Sequence, residues 1–434
     1  MSEQASFSVP ASASSEETTG RYVVTFRDDL VAEGLELLRD QTGVSGLANA
    51  ANFAGSALDL SQLEASGGAV FPLLGVAVVS LDDAALNRIT SSTGGDSAIL
   101  AIEPERIFYA LEMGLQKEYL EGYRDAADHL YQKASANAPD RGNDDQPAEV
   151  TFADDTQSTW GLKATKAINS QYTGRDIKIA VLDTGIDLEH PDFKGRSIVT
   201  QSFVPDEDVQ DVVGHGTHCI GTACGTVDVN GRRYGVATES TIYVGKVLDN
   251  SGSGYTSWIL AGMEWAIANG CQVISMSLGN TAPTPSTAYE EIGRRALDNG
   301  CLIVAAAGNH RGSNPRRPGT VGQPANSATI LAVGAIDSKL KLAPFSCTSG
   351  IGLGANVDIA APGVAVYSSV PMSQDRYAAF NGTSMATPHV AGIAALYAQA
   401  FNARGALLWL YLAWTAQRLS LPSVDVGSGL VQAP

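Results

Sequence analysis

The run Ile177-Lys178-Ile179-Ala180-Val181-Leu182 is almost continuously apolar. A strand of that composition is buried on both faces, which is the situation of a parallel sheet covered by helices. It ends in Asp183-Thr184-Gly185-Ile186-Asp187, so Asp183 stands at the carboxyl end of the strand, where such sheets collect their chemistry. A second apolar run, Leu302 to Ala307, leads into Gly308-Asn309 and places Asn309 on the same edge. The fold class expected is therefore α/β, a parallel β-sheet flanked by helices.

Two helix starts add chemistry to that edge. His215-Gly216-Thr217-His218 opens one helical run, and Met385 to Phe401 repeats apolar residues at helical spacing behind Gly382-Thr383-Ser384. Taken alone, Ser384 is an ordinary helix cap. It also stands where free backbone N–H groups and the helix dipole favour negative charge. A serine hydroxyl becomes a nucleophile when a base takes its proton, and an imidazole base needs a carboxylate to hold its tautomer and stabilise its cation. Asp183, His215 and Ser384 supply these three groups.

Four ordered blocks now carry a resemblance. Val181-Leu182-Asp183-Thr184-Gly185-Ile186-Asp187 with His190-Pro191-Asp192, then His215-Gly216-Thr217-His218, then Ala305-Ala306-Ala307-Gly308-Asn309, then Asn381-Gly382-Thr383-Ser384-Met385-Ala386 resemble the subtilisin-like serine proteases, from about Trp160 to Val431. The resemblance implies a serine endopeptidase with Asp183 as carboxylate, His215 as base, Ser384 as nucleophile, and Asn309 with the Ser384 N–H as oxyanion donors. It implies a substrate cleft between Gly252, Ser253 and Gly254 on one side and Ser277, Leu278 and Gly279 on the other. It also implies a pocket floored by Ala306, Ala307, Gly308 and Gly322, roomy enough for an apolar residue before the cut bond. His218 and His389 read as structural histidines. No cofactor is required for catalysis; a structural calcium at Asp192 is the one metal site the resemblance suggests, against two arginines in Asp228 to Arg233. Around His310 and Arg311, with Arg316 and Arg317, the loop is more basic than the family's and reads as solvated surface.

The charge is uneven. Of the net −18, residues 1 to 156 hold 26 acids and 9 bases, whereas residues 157 to 434 hold 20 and 19. An acidic front argues against a nucleic-acid partner. It has a β-α-β-α-β rhythm: Arg21 to Phe26 as a strand, Asp29 to Asp40 as a helix, Leu73 to Leu81 as a strand, a helix from Asp82, and an extended run near Ile99 to Leu111. Residues 21–111 resemble the inhibitory propeptide domains found ahead of subtilisin-like proteases, which implies a precursor whose own front segment blocks the cleft. Residues 1–20 read as disordered, 112–157 as a helix and an acidic linker with the maturation cut between Asn137 and Ser158, and 158–434 as the catalytic domain.

The longest apolar run, Ala406 to Trp414, is too short to span a bilayer, and no signal-peptide core is visible near the start, so no membrane partner is expected. Five cysteines without paired spacing argue against a disulfide framework, and cytoplasmic residence is the simplest fit, with export as the alternative. Cys219 falls one helical turn past His215; it reads as a small buried residue, with a thiol close to the base as the other reading.

Overall fold

A computed structural model describes residues 18–50, 67–111, 150–312, 319–350 and 354–434. The expected helix from Glu112, and most of the linker after it, lie outside these residues. So do Arg316 and Arg317.

The body expected to be catalytic is built on a seven-stranded parallel sheet, in the order β14-β13-β12-β10-β6-β8-β7. Its strands are β6 (Lys178–Asp183), β7 (Ile198–Ser202), β8 (Thr241–Lys246), β10 (Val273–Met276), β12 (Leu302–Ala306), β13 (Leu331–Ile336) and β14 (Ile359–Pro362). Strand alternation splits the core: Ile179 and Val181 pack on one face, Ala180 and Leu182 on the other, and all four are fully buried. Each buried Val, Ile or Leu contributes about 1.5–3 kcal/mol relative to exposure. Against the first face lies the helix Thr383–Phe401, buried from Thr383 to Ala398. That is why its sequence is apolar all round. Pro388 interrupts the helix's own hydrogen bonding, since it has no N–H to give the carbonyl of Ser384. Ser277 Oγ donates to that carbonyl instead, at 2.7 Å.

The front domain is the expected α+β unit, with two corrections. Its strands are β1 (Thr18–Phe26), β2 (Ala48–Asn49), β3 (Gly68–Phe71), β4 (Val76–Val79) and β5 (Ile99–Ala110), with helices Val31–Thr42 and Asp83–Thr90. The single strand expected from Leu73 to Leu81 is the second arm of a hairpin, β3 against β4. Leu73 and Leu74 lie in its turn, where their apolar side chains disguised the break. Strand β1 also starts at Thr18, inside the stretch read as disordered.

This sheet is buried on both sides. Val24, Phe26, Val70, Ala77 and Val79 form a core beneath the domain's own helices. The alternate residues Val23, Phe71, Val76, Val78 and Phe108 join the catalytic body's core. Polar anchors fix the docking. Glu264 accepts hydrogen bonds from the N–H groups of Leu73 and Leu74, both at 3.1 Å, and burial pushes its carboxyl up to about 7. Glu105 accepts from Ser257 N at 2.8 Å, and Glu103 from Ala288 N at 2.9 Å. These carboxylates meet the first turns of the helices Thr256–Ala268 and Thr287–Asp298, where free N–H groups and the dipole favour a negative charge.

Candidate active site

Asp183 ends β6 and faces the first residue of the helix His215–Cys224, with His215 Nδ1 2.7 Å from Asp183 Oδ1. Both side chains are buried. Burial alone would lower the imidazole's pKa, but the Asp183 carboxylate, together with the neighbouring Cys219 sulfur, more than reverses this and holds it well above the ordinary 6.5. Asp211, which carries no motif and escaped the sequence reading, seats the helix start. Its carboxylate accepts from the N–H groups of Val213, Gly214 and Thr217 and from the hydroxyls of Thr184 and Thr217. The signal was only its place four residues before His215.

The sheet edge brings Ser384 and Asn309 to the same point. Asn309 Oδ1 accepts from Thr383 N at 2.9 Å and from Thr383 Oγ1 at 2.8 Å, which aims its amide Nδ2 away from the helix. That Nδ2 donates to the carbonyl oxygen of Leu111, the residue just past β5. Ser384 Oγ donates to the same oxygen at 2.6 Å and to Ser277 O at 3.1 Å. A Cβ on Gly382 would come within 2.8 Å of Leu111 O, 3.2 Å of Asn309 Nδ2 and 3.4 Å of Ser384 N. Those groups therefore surround one small space, and Gly382 is what leaves it open. The link expected between His215 and Ser384 is not closed in this arrangement: His215 Nε2 is buried and makes no hydrogen bond.

Every cleft residue expected from the sequence adjoins the β5 segment. Ser253 and Gly254 lie in β9 (Ser253–Tyr255) and pair antiparallel with Tyr109 and Phe108. Leu278 and Gly279 form β11 and pair with Ala110 and Tyr109. Ala110 N donates to Gly252 O at 2.9 Å, and Leu111 N to Ser277 O at 3.2 Å. Thus β5 is a strand added between two edges of the catalytic body. A Cβ on Gly279 would lie 3.0 Å from Leu111 Cδ1, so the Leu111 side chain lies against that glycine. Ala306, Ala307, Gly308 and Gly322 are buried together nearby, with Gly322 N donating to Ala307 O.

A profile of the Subtilase family, Peptidase S8, matches residues 174–419. This chain belongs to the subtilase family. The subtilase is 46% identical over 242 residues to the protein called Subtilisin from Bacillus pumilus, an alignment covering 55% of this chain and 83% of that one. Identity to Subtilisin E of Bacillus subtilis (strain 168) is also 46% over 242 residues, covering 60% of that protein. To M-protease of Shouchella clausii it is 45% over 260 residues, covering 59% of this chain and 63% of the relative. The subtilase thus spans less than two thirds of these last two. Its class is that of the serine-type endopeptidases, acting on polypeptides.

The remaining expectations concern side chains around the site. His218 is structural: its Nε2 meets Val366 O at 2.9 Å, its ring stacks on Phe380, and burial lowers its pKa to about 3. His389 bonds Met385 O at 2.8 Å and is lowered by burial to about 4. Cys219 Sγ lies 3.9 Å from His215 Nδ1, and burial raises its thiol to about 11. All five cysteines are free and buried. The Asp192 carboxylate, the calcium position suggested by the resemblance, accepts from the phenols of Tyr234 at 2.7 Å and Tyr377 at 3.0 Å. The positive charge nearby belongs to Arg232, paired with Asp228 at 3.2 Å and lying 3.8 Å above the Tyr367 ring. No helix among the described residues is long and apolar enough to cross a membrane.

Proposed function

We propose that this subtilase is made as a self-inhibited precursor, and that it cuts its own chain after Leu111 by nucleophilic attack of Ser384. The observation that carries this reading is the Leu111 carbonyl, which accepts from both Asn309 Nδ2 and Ser384 Oγ while the residues before it are paired into the cleft as a strand. In the reaction, Ser384 Oγ bonds to the Leu111 carbonyl carbon and its proton passes to His215 Nε2. Asp183 stabilises the imidazolium. Asn309 and the Ser384 N–H hold the oxyanion. Collapse expels the amine of Glu112 with the proton from His215, and water then releases Leu111 from the serine. The closing of the Ser384–His215 link is the one rearrangement required, and such bonds commonly tighten only in the reacting complex.

This reading replaces the cut expected between Asn137 and Ser158. The described part of that stretch is held by the catalytic body: Phe152 N donates to Ser338 O at 2.8 Å and Asp154 Oδ1 accepts from Trp160 N at 2.7 Å. A cut after Leu111 also redistributes the charge. Residues 1–111 carry 15 acids and 5 bases, and residues 112–434 carry 31 and 23, so the enzyme keeps a net −8 instead of approaching neutrality. Leu111 further supports an apolar preference for the residue before the cut. Intact-mass measurement of the matured protein is the test: a fragment ending at Leu111 and a partner beginning at Glu112 are expected. A first cut elsewhere would refute the junction.

Because His215 acts as a neutral base, activity rises as pH climbs through its pKa. Asp183 holds that value above 6.5, so the acid limb of kcat/KM should have its midpoint above 6.5. A midpoint below 6.5 in a pH–rate profile would contradict the assigned base.

A further inference from the structure

We infer that Thr256 is a specificity residue that grips the main chain of a substrate at the sixth residue before the cut bond, so that the enzyme reads the length of what it cleaves. The inference rests on the proposed reading of β5 as a substrate-like strand. Counting back from Leu111, the sixth residue is Arg106. Its N–H donates to Thr256 Oγ1 at 3.0 Å, and Thr256 Oγ1 donates to its carbonyl, also at 3.0 Å. One buried hydroxyl thus serves both polar groups of one residue.

The reason lies in the local fold. Strand β9 ends at Tyr255, paired with Ile107, and Thr256 begins a helix of 13 residues. From that point the carbonyls of the catalytic chain turn into its own helical hydrogen bonds, so its backbone no longer offers the paired N–H and C=O of a sheet rung to an extended partner. The hydroxyl takes the place of the missing rung. It is available because it does not cap the helix: Tyr255 is the N-cap residue, and no side-chain cap bond is made there. Both contacts are to main-chain atoms, so the grip is indifferent to the side chain presented. One place further out the arrangement changes. The carboxylate of Glu105 is held by Ser257 N and also by Arg21 and Thr19, which belong to the front domain and leave with it. The cleft that remains to an incoming polypeptide therefore ends at Thr256.

Two hydrogen bonds made equally in the bound and reacting states would lower KM and raise kcat/KM by about tenfold. The test uses the matured enzyme and acetylated peptide anilides ending in Phe-Tyr-Ala-Leu, Ile-Phe-Tyr-Ala-Leu and Gly-Ile-Phe-Tyr-Ala-Leu. The six-residue peptide should be cut about tenfold more efficiently than the four-residue one, mainly through KM. N-methylation of its glycine should remove part of that gain with no change to the protein. The ratio of six-residue to four-residue rates should fall towards one in Thr256→Val and persist in Thr256→Ser. Equal rates at all lengths, or a ratio that survives Thr256→Val, would overturn the inference and leave the peptidase reading standing. A wild type that cuts none of the peptides would overturn both.

Discussion

Ser384→Ala will leave the 45.2 kDa chain intact, while the wild type divides after Leu111. Loss of a nucleophile in such a triad costs on the order of 10⁶ in kcat, so no fragment should accumulate over any practical incubation. Hydrolysis of added peptides should vanish with it. The variant should still fold, because the hydroxyl's two hydrogen bonds go to the cleft strand and to Ser277 O, while the helix is held by its buried apolar length. Its front domain should stay bound through Glu264, Glu103 and Glu105. Intact-mass and gel analysis of both proteins side by side decide the matter: cleavage after Leu111 in the purified variant would remove Ser384 from the mechanism.

Replacing Asn309 by alanine should cost about 10²–10³ in kcat with little change in KM, the loss recorded when one oxyanion donor is removed. The physical reason is differential. A carbonyl in the ground state gains little from the amide, whereas the oxygen of the tetrahedral intermediate carries a full charge in a space walled by Gly382 and Ser384. The substitution also leaves Thr383 N without its acceptor, because Asn309 Oδ1 holds it at 2.9 Å. A modest fall in thermal stability should therefore accompany the kinetic loss. Steady-state kinetics on a six-residue peptide separate the two: a raised KM with kcat intact would recast Asn309 as a binding residue.

The difference between what was legible and what was not follows the range of the interactions. Asp183, His215, Asn309 and Ser384 each sit at the end of a strand or the start of a helix, and hydrophobic periodicity reveals such ends. The cleft segments were legible for the same reason, as glycine and serine beside strand ends. The hairpin β3–β4 was not, because Leu73 and Leu74 continue the apolar pattern through a turn and gain their partner only from Glu264, 190 residues away. Asp211 and Thr256 were silent as well. Each acts through hydroxyl, carboxylate or N–H contacts that no periodicity records.

By itself, the sequence determined the parallel sheet, the order Asp183, His215, Ser384 along its active edge, and the existence of a separate acidic front domain, since burial pattern, helix starts and charge are local properties. The tertiary structure decided where that front domain ends in the cleft. Leu111 has no distinguishing neighbours in the chain, and its carbonyl reaches Asn309 and Ser384 only because β5 finds two unpaired strand edges, β9 and β11, to complete. Strand addition is set by backbone hydrogen bonds that every residue offers alike, so its register is fixed by docking in space, which a linear sequence does not display.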